Sequence, residues 1–172
     1  MPSGEHDFLD FLRRLSPKKA SIITHVGADP DAICSAFALR HLIRELIGSE
    51  AEVIAPERTS SAAKAILTRL AIALSEPELG GSDLAILVDT PSLSMLGSFA
   101  DTMLASGIPI AQIDHHYPNP SMEGVAAIRL LDEGAPSTTE MVYSLFKGAG
   151  IDVTNEVAQI LLTGIVAESG RL

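Results

Sequence analysis

Three of the five histidines, together with four aspartates, fall in three short stretches whose residue types suit acid–base or metal chemistry: His25-Val-Gly-Ala-Asp29-Pro-Asp31, Val88-Asp89-Thr90 and Ile113-Asp114-His115-His116. Carboxylate oxygens joined by a few imidazole nitrogens suit a hard divalent cation, Mn²⁺ first and Mg²⁺ as the alternative, better than a soft metal. The single cysteine, Cys34, gives neither a disulfide framework nor a zinc-type cluster. The chain contains no Gly-x-Gly-x-x-Gly or Walker-type loop, which removes dinucleotide and P-loop chemistry. Neither a Ser-His nor a Cys-His arrangement stands out, so no covalent intermediate is called for.

Each residue also has an ordinary reading. Asp29 before Pro30 is a good helix start, with Asp as N-cap and Pro at the first helical position. Asp31 would complement the helix dipole. Asp89 before Thr-Pro is a turn former, and His25 could be a hydrogen-bonded histidine at a strand end. The pair His115-His116 is harder to dismiss, because two imidazoles at the exit of a buried strand serve no packing purpose.

The elements that must carry these residues are legible. Ala20–His25, Glu52–Ala55, Asp83–Val88, Ile108–Ile113 and Val125–Leu131 read as strands. Helices are expected over 6–15, 30–47, 60–74, 98–105, 138–148 and 155–167, the last capped by Thr154 with Glu156 in its first turn. Strands that alternate with helices and read as continuous apolar runs predict an α/β fold: a three-layer α/β/α arrangement around a mostly parallel five-stranded sheet. Ligands of such sheets bind beyond the carboxyl ends of the strands, near a reversal of strand order. His25, Asp89 and the Asp114-His115-His116 triplet all follow strand ends. Other polar residues read as structural. His6 and His41 are expected on solvated helix surfaces, Cys34 in the core, Ser137, Thr138 and Thr139 as helix caps, and Gly80-Gly81 as a turn.

The 172 residues fit one domain with a real core. Apolar residues make up 47%, yet no run is long and charge-free enough for a membrane span, and the N-terminus has no signal-like pattern, so a cytoplasmic protein is expected. A net charge of −10 argues against stable binding of duplex nucleic acid. Aromatic residues at 4% argue against a base-stacking platform.

In order, His25-x-x-x-Asp29-x-Asp31-Ala32, Val88-Asp89-Thr90 and Asp114-His115-His116 resemble the first three motifs of the DHH (RecJ-like) phosphoesterases. Residues from Ala135-Pro-Ser-Thr-Thr-Glu140 to Leu161-Leu-Thr-Gly-Ile165 resemble the segment leading into the fourth. The spacing of His25, Asp29 and Asp31 is similar to that of the nanoRNase and cyclic-dinucleotide phosphodiesterase branch.

The resemblance implies a phosphoesterase that uses water activated by two metals, ~3.5–4 Å apart. It implies that His25, Asp29 and Asp89 hold one ion. Asp31, Asp89, His115 and the fourth-motif acid Glu168 would hold the other, with Asp89 shared. Asp114 would accept a hydrogen bond that fixes an imidazole tautomer, and His116 would face the substrate phosphate. Glu168-Ser169-Gly170 departs from the family's usual Asp-Thr-Gly. The family also continues into a smaller C-terminal domain that helps hold substrate, so residues 1–172 read as the metal-binding part of a longer protein.

The partner expected is a small phosphorylated nucleotide: a short oligonucleotide, a cyclic dinucleotide or adenosine 3′,5′-bisphosphate. A homodimer is left open. Two other readings stand beside this one, a metal- or nucleotide-binding module without catalysis and a pyrophosphate or polyphosphate hydrolase.

Overall fold

The computed structural model describes residues 3–170. Helix α1 (Ser3–Leu15) leads into strand β1 (Lys19–Ile23), helix α2 (Pro30–Ile47) and strand β2 (Glu50–Ile54). Helix α3 (Ser61–Arg69), strand β3 (Leu84–Val88), helix α4 (Phe99–Ala105) and strand β4 (Ile110–Asp114) follow, then β5 (Ile128–Leu131), α5 (Thr138–Ala149) and α6 (Asn155–Glu168). All five strands pair in parallel, in the order β2-β1-β3-β4-β5. The α/β fold expected from the sequence is therefore the fold observed, with a sheet that is wholly parallel.

Strand residues alternate between two cores, as the pleat requires. Ile22, Leu84, Ile86, Val88, Ala111 and Ile113 face the larger one, shared with α1, α2, α5 and α6. Ile23, Ile54, Ala85, Leu87 and Ile110 face a smaller one covered by Phe99 and Met103 of α4 and by two short 3₁₀ turns at Leu93–Leu96 and Pro120–Met122. The three layers are thus unequal, with the thick side holding the helices that reach the strand ends.

Helix α2 runs through the thick layer. Asp29 caps it, its side chain accepting from the Ala32 N–H at 3.0 Å, with Pro30 at the first position. Gly48, at φ 68°, closes it by donating to the Arg44 carbonyl. Every residue from Asp31 to Leu39 is buried, because α5 and α6 pack across this half. Gly164 of α6 makes that packing close: a β-carbon there would lie 2.6 Å from the Cys34 β-carbon and collide with the Thr139 hydroxyl. Cys34 is a buried packing residue, and burial pushes its thiol up to about 12, far from reactive thiolate chemistry.

Several boundaries moved. Helix α3 stops at Arg69 rather than 74, because the chain reverses through Ala71 at φ 52°. Strand β5 begins at Ile128 rather than 125. The segment before it enters from the 3₁₀ turn and first pairs through the Ala127 N–H to the Ile110 carbonyl. His6 is exposed as expected, but His41 is not a solvated surface histidine. It lies between α2 and α6 with Nε2 3.9 Å from Glu156 Oε1, and burial pushes its pKa down. Among the described residues no helix is long and apolar enough to cross a membrane.

Candidate metal centre

The strand order reverses between β1 and β3, the crevice where parallel α/β sheets bind their ligands. The three motifs converge there. After β1 the chain turns through His25–Ala28, and this turn is tied to its neighbours. Val26 N–H donates to the Met95 carbonyl and Gly27 N–H to the Arg58 carbonyl, both at 2.7 Å. Gly27 sits at φ 79°, where a side chain would be strained. His25 Nδ1 lies 2.9 Å from its neighbour's carbonyl, Val26 O, which leaves Nε2 free to face inward.

Asp89 follows β3 in an unusual posture, at φ 52°, in the left-handed region that Asp and Asn tolerate better than most residues. Its N–H donates to the Ile113 carbonyl, and the turn is held by Gln112 Nε2 donating to the Thr90 carbonyl at 3.0 Å. The backbone thereby aims the carboxylate into the crevice with only 3% of its side chain exposed. Oδ2 lies 3.9 Å from His25 Nε2. Oδ1 lies 3.6 Å from His115 Nε2 and 3.6 Å from His116 Nδ1.

At the end of β4 the two imidazoles differ. His115 is nearly buried, with Nδ1 3.3 Å from the Ala135 carbonyl and Nε2 turned to Asp89 and Asp31. His116 is 48% exposed, and its Nδ1 lies 2.7 Å from Asp114 Oδ1, which also accepts the His116 N–H at 2.9 Å. With Nδ1 engaged by a buried carboxylate, Nε2 is the free nitrogen of His116. Asp114 Oδ2 is buried without a hydrogen-bond partner among the described residues.

Two groups of side chains therefore come within ligand distance: His25, Asp29 and Asp89, and Asp89, His115 and His116. Asp89 belongs to both. Asp31 stands beside the second, 3.9 Å from His115 Nε2, with its oxygens accepting the Thr138 and Thr139 N–H groups at 2.8 and 2.9 Å. Glu168 is the last residue of α6, exposed at the rim and outside both groups. Partial burial raises its pKa, and the charges of Asp31 and Asp29 add to the rise, so it does sit in the field of the site.

The electrostatics call for cations. Among the described residues no Lys or Arg pairs with Asp29, Asp31, Asp89 or Asp114; their close side-chain nitrogen neighbours are histidine rings. Burial pushes the Asp89 carboxyl up to about 9, and the charges of Asp31, Asp29 and Asp114 add to the rise against a hydrogen bond from Thr138. Burial likewise raises Asp31, opposed by the bonds from Thr139 and Thr138. Mutually repelling carboxylates held in place, with imidazole Nε2 atoms free beside them, form a donor set suited to divalent cations.

The sequence reading placed Thr138 and Thr139 only as helix caps. Ser137 is the cap of α5, accepting from the Glu140 N–H, while Thr138 and Thr139 grip the acidic residues. A signal was available: Thr138 lies three and four positions before Met141 and Val142, on the buried face of the helix.

A parallel α/β domain with acidic and imidazole side chains gathered at its strand-order reversal defines a metal-binding class of protein. The chain belongs to the DHH family, whose N-terminal domain it matches over residues 19–165. An uncharacterised protein of Methanocaldococcus jannaschii is 27% identical over 96% of this chain and 49% of its own length. A protein of Streptococcus pyogenes described as a probable manganese-dependent inorganic pyrophosphatase is 26% identical over 88% of this chain and 48% of its own.

Among solved structures, an exopolyphosphatase-related protein from Bacteroides fragilis superposes with a TM-score of 0.79 at 24% identity, over 96% of this chain and 51% of that one. RecJ in complex with Mn²⁺ from Thermus thermophilus does so with a TM-score of 0.57 at 16% identity, over 96% of this chain and 24% of that one. These structural likenesses show the fold. The chain spans about half the length of the curated relatives it matches.

Proposed function

We infer that this chain is the metal-binding domain of a divalent-metal-dependent hydrolase that cleaves phosphodiester or phosphoanhydride bonds of small nucleotides in the cytoplasm. The observation that carries the reading is the placement of Asp89, whose two oxygens each face a separate group of ligands. His25, Asp29 and Asp89 would hold one ion. Asp31, Asp89 and His115 would hold the other, with Glu168 the remaining acid at the rim. Imidazole nitrogen in both sets favours Mn²⁺ over the oxygen-seeking Mg²⁺. The S. pyogenes relative's description as manganese-dependent supports that choice.

The acids and imidazoles of this crevice would hold divalent cations, whose chemistry when bound would be to give a water-derived nucleophile near neutral pH and to neutralise charge on a phosphoryl group. The protein's own residues do the rest. Asp29 and Asp31 are fixed at the start of α2, so the acids are set before any ligand arrives. Asp114 holds the His116 ring by Nδ1, which directs Nε2 to a phosphoryl or leaving-group oxygen in the open side of the crevice, placed for acid–base work there. Burial of Asp89, Asp31 and Asp114 keeps bulk water from screening these interactions.

A second reading, hydrolysis of inorganic pyrophosphate or polyphosphate, is favoured by the S. pyogenes relative. One experiment separates them. The chain is stripped with a chelator, reloaded with Mn²⁺, and given a nitrophenyl phosphodiester, a dinucleotide and pyrophosphate. Metal-dependent release of nitrophenol or mononucleotide supports the first reading. Phosphate released from pyrophosphate alone supports the second. Stoichiometric Mn²⁺ uptake with no turnover on any of them makes this chain by itself a binding module and removes both hydrolytic readings for it.

The two adjacent histidines give a further prediction. His115→Ala should weaken Mn²⁺ binding at least ~10-fold, since supporting partners alone are worth that much at metal sites. His116→Ala should keep metal affinity and lose ~10²–10⁴ in rate, the range of a positioned proton donor. Calorimetric Mn²⁺ titration of both variants beside their rates checks the division. Equal loss of metal affinity would show that His116 is a ligand.

A further inference from the structure

We propose that Thr138 is a positioning residue of the metal centre, its hydroxyl setting which oxygen of Asp89 serves which ion. The proposal rests on the metal-centre reading above. Thr138 is fully buried at the first turn of α5, and its Oγ1 donates to Asp89 Oδ1 at 2.9 Å. That oxygen is the one facing His115, while Oδ2 faces His25. A carboxylate can rotate about its last bond, and each rotation exchanges the two oxygens. A hydrogen bond to one of them removes that freedom and leaves Oδ2, together with the unused lone pair of Oδ1, for metal.

The same turn of helix holds the neighbouring acid by a different means. Asp31 accepts the backbone N–H groups of Thr138 and Thr139, and Thr139 Oγ1 donates to the Asp31 carbonyl at 3.3 Å. Substitution of the Thr138 side chain leaves those backbone donors in place. Any effect of losing the hydroxyl should therefore pass through Asp89.

Thr138→Val removes the donor at nearly constant volume, and Thr138→Ser keeps it. Mn²⁺ titration by calorimetry, with electron paramagnetic resonance to count coupled ions, should show Thr138→Val binding at least ~10-fold more weakly than wild type and losing the coupled-pair signal. Thr138→Ser should bind like wild type. The melting temperature of each metal-free variant serves as the folding control. If Thr138→Val does not fold, Thr138→Ala is the second variant without a donor and should show the same deficit against Thr138→Ser. Wild-type affinity in the folded donor-less variant overturns the proposal. So does an equal loss in Thr138→Ser, which would make the effect one of packing. If wild type itself takes up no divalent cation, the metal-centre reading falls and takes this proposal with it. If wild type loads normally and the donor-less variant matches it, only the role of Thr138 falls.

Discussion

Replacing Asp89 by Asn should abolish metal-dependent hydrolysis, a loss of at least ~10³-fold, while leaving the metal-free protein as stable as wild type or more so. The first half follows from Asp89 being the side chain common to both ligand groups. Charge neutralisation by bound cations is worth several kcal/mol in such sites, and each ~1.4 kcal/mol is tenfold in rate. The second half follows from burial. A carboxyl pushed up to about 9 is one whose charge the fold resists, so the neutral amide removes a liability. Asn is the right probe because Asp89 sits at φ 52°, a region Asn tolerates, whereas Ala there would add strain of ~1–2 kcal/mol. Asn also keeps an oxygen for the Thr138 hydroxyl. Parallel measurement of rate, Mn²⁺ affinity and metal-free melting temperature checks it. Undiminished activity in a folded Asp89→Asn protein would remove the two-ion reading.

Without metal, the chain's melting temperature should fall as pH rises from about 4 to about 9. The Asp89 carboxyl ionises at 3.8 in its ordinary state and at about 9 in the fold. A group raised in the folded state stabilises it fully below the ordinary value, and that contribution is lost as pH climbs through the raised one. Asp31, raised for the same cause of burial, adds in the same direction. Mn²⁺ should reverse the trend. At pH 7 the metal-free Asp89 holds a proton that coordination must expel, so filling the site should release about one proton and affinity should rise with pH. Calorimetry in buffers of different ionisation enthalpy reads the proton. Melting curves from pH 5 to 8, with and without chelator, read the stability. Asp89→Asn is the control that subtracts every other titrating group, and its metal-free curve should be the flatter of the two. Identical slopes for the two proteins would show that Asp89 is ionised in the metal-free fold.

The ordered motifs were legible because they are local. His25, Asp29 and Asp31 share one turn, and Asp114, His115 and His116 are consecutive, so their chemistry shows in a linear reading. The apolar runs of β1, β3 and β4 and the Asp29-Pro30 start of α2 are equally local, and they implied the parallel sheet, while the resemblance of the ordered motifs implied the family the chain belongs to. What the sequence determined by itself was therefore the fold class and the kind of donor atoms at each strand end.

Only the tertiary structure decided how those atoms meet. The strand order brings the ends of β1, β3 and β4 side by side, and the left-handed turn at Asp89 divides its oxygens between His25 and His115. The partners of the acids lie far along the chain. Thr138 is 107 residues from Asp31 and 49 from Asp89, and no local periodicity marks a bond of that kind. His41 looked solvated because its own helix places it on the polar stripe, yet α6 covers it. Glu168 shares the acid chemistry of the other candidates but ends a helix at the rim, outside both ligand groups. Periodicity reports which residues share a face of one element. Which faces are then pressed together depends on burial summed over the whole chain, and that is settled only when the helices close on the sheet.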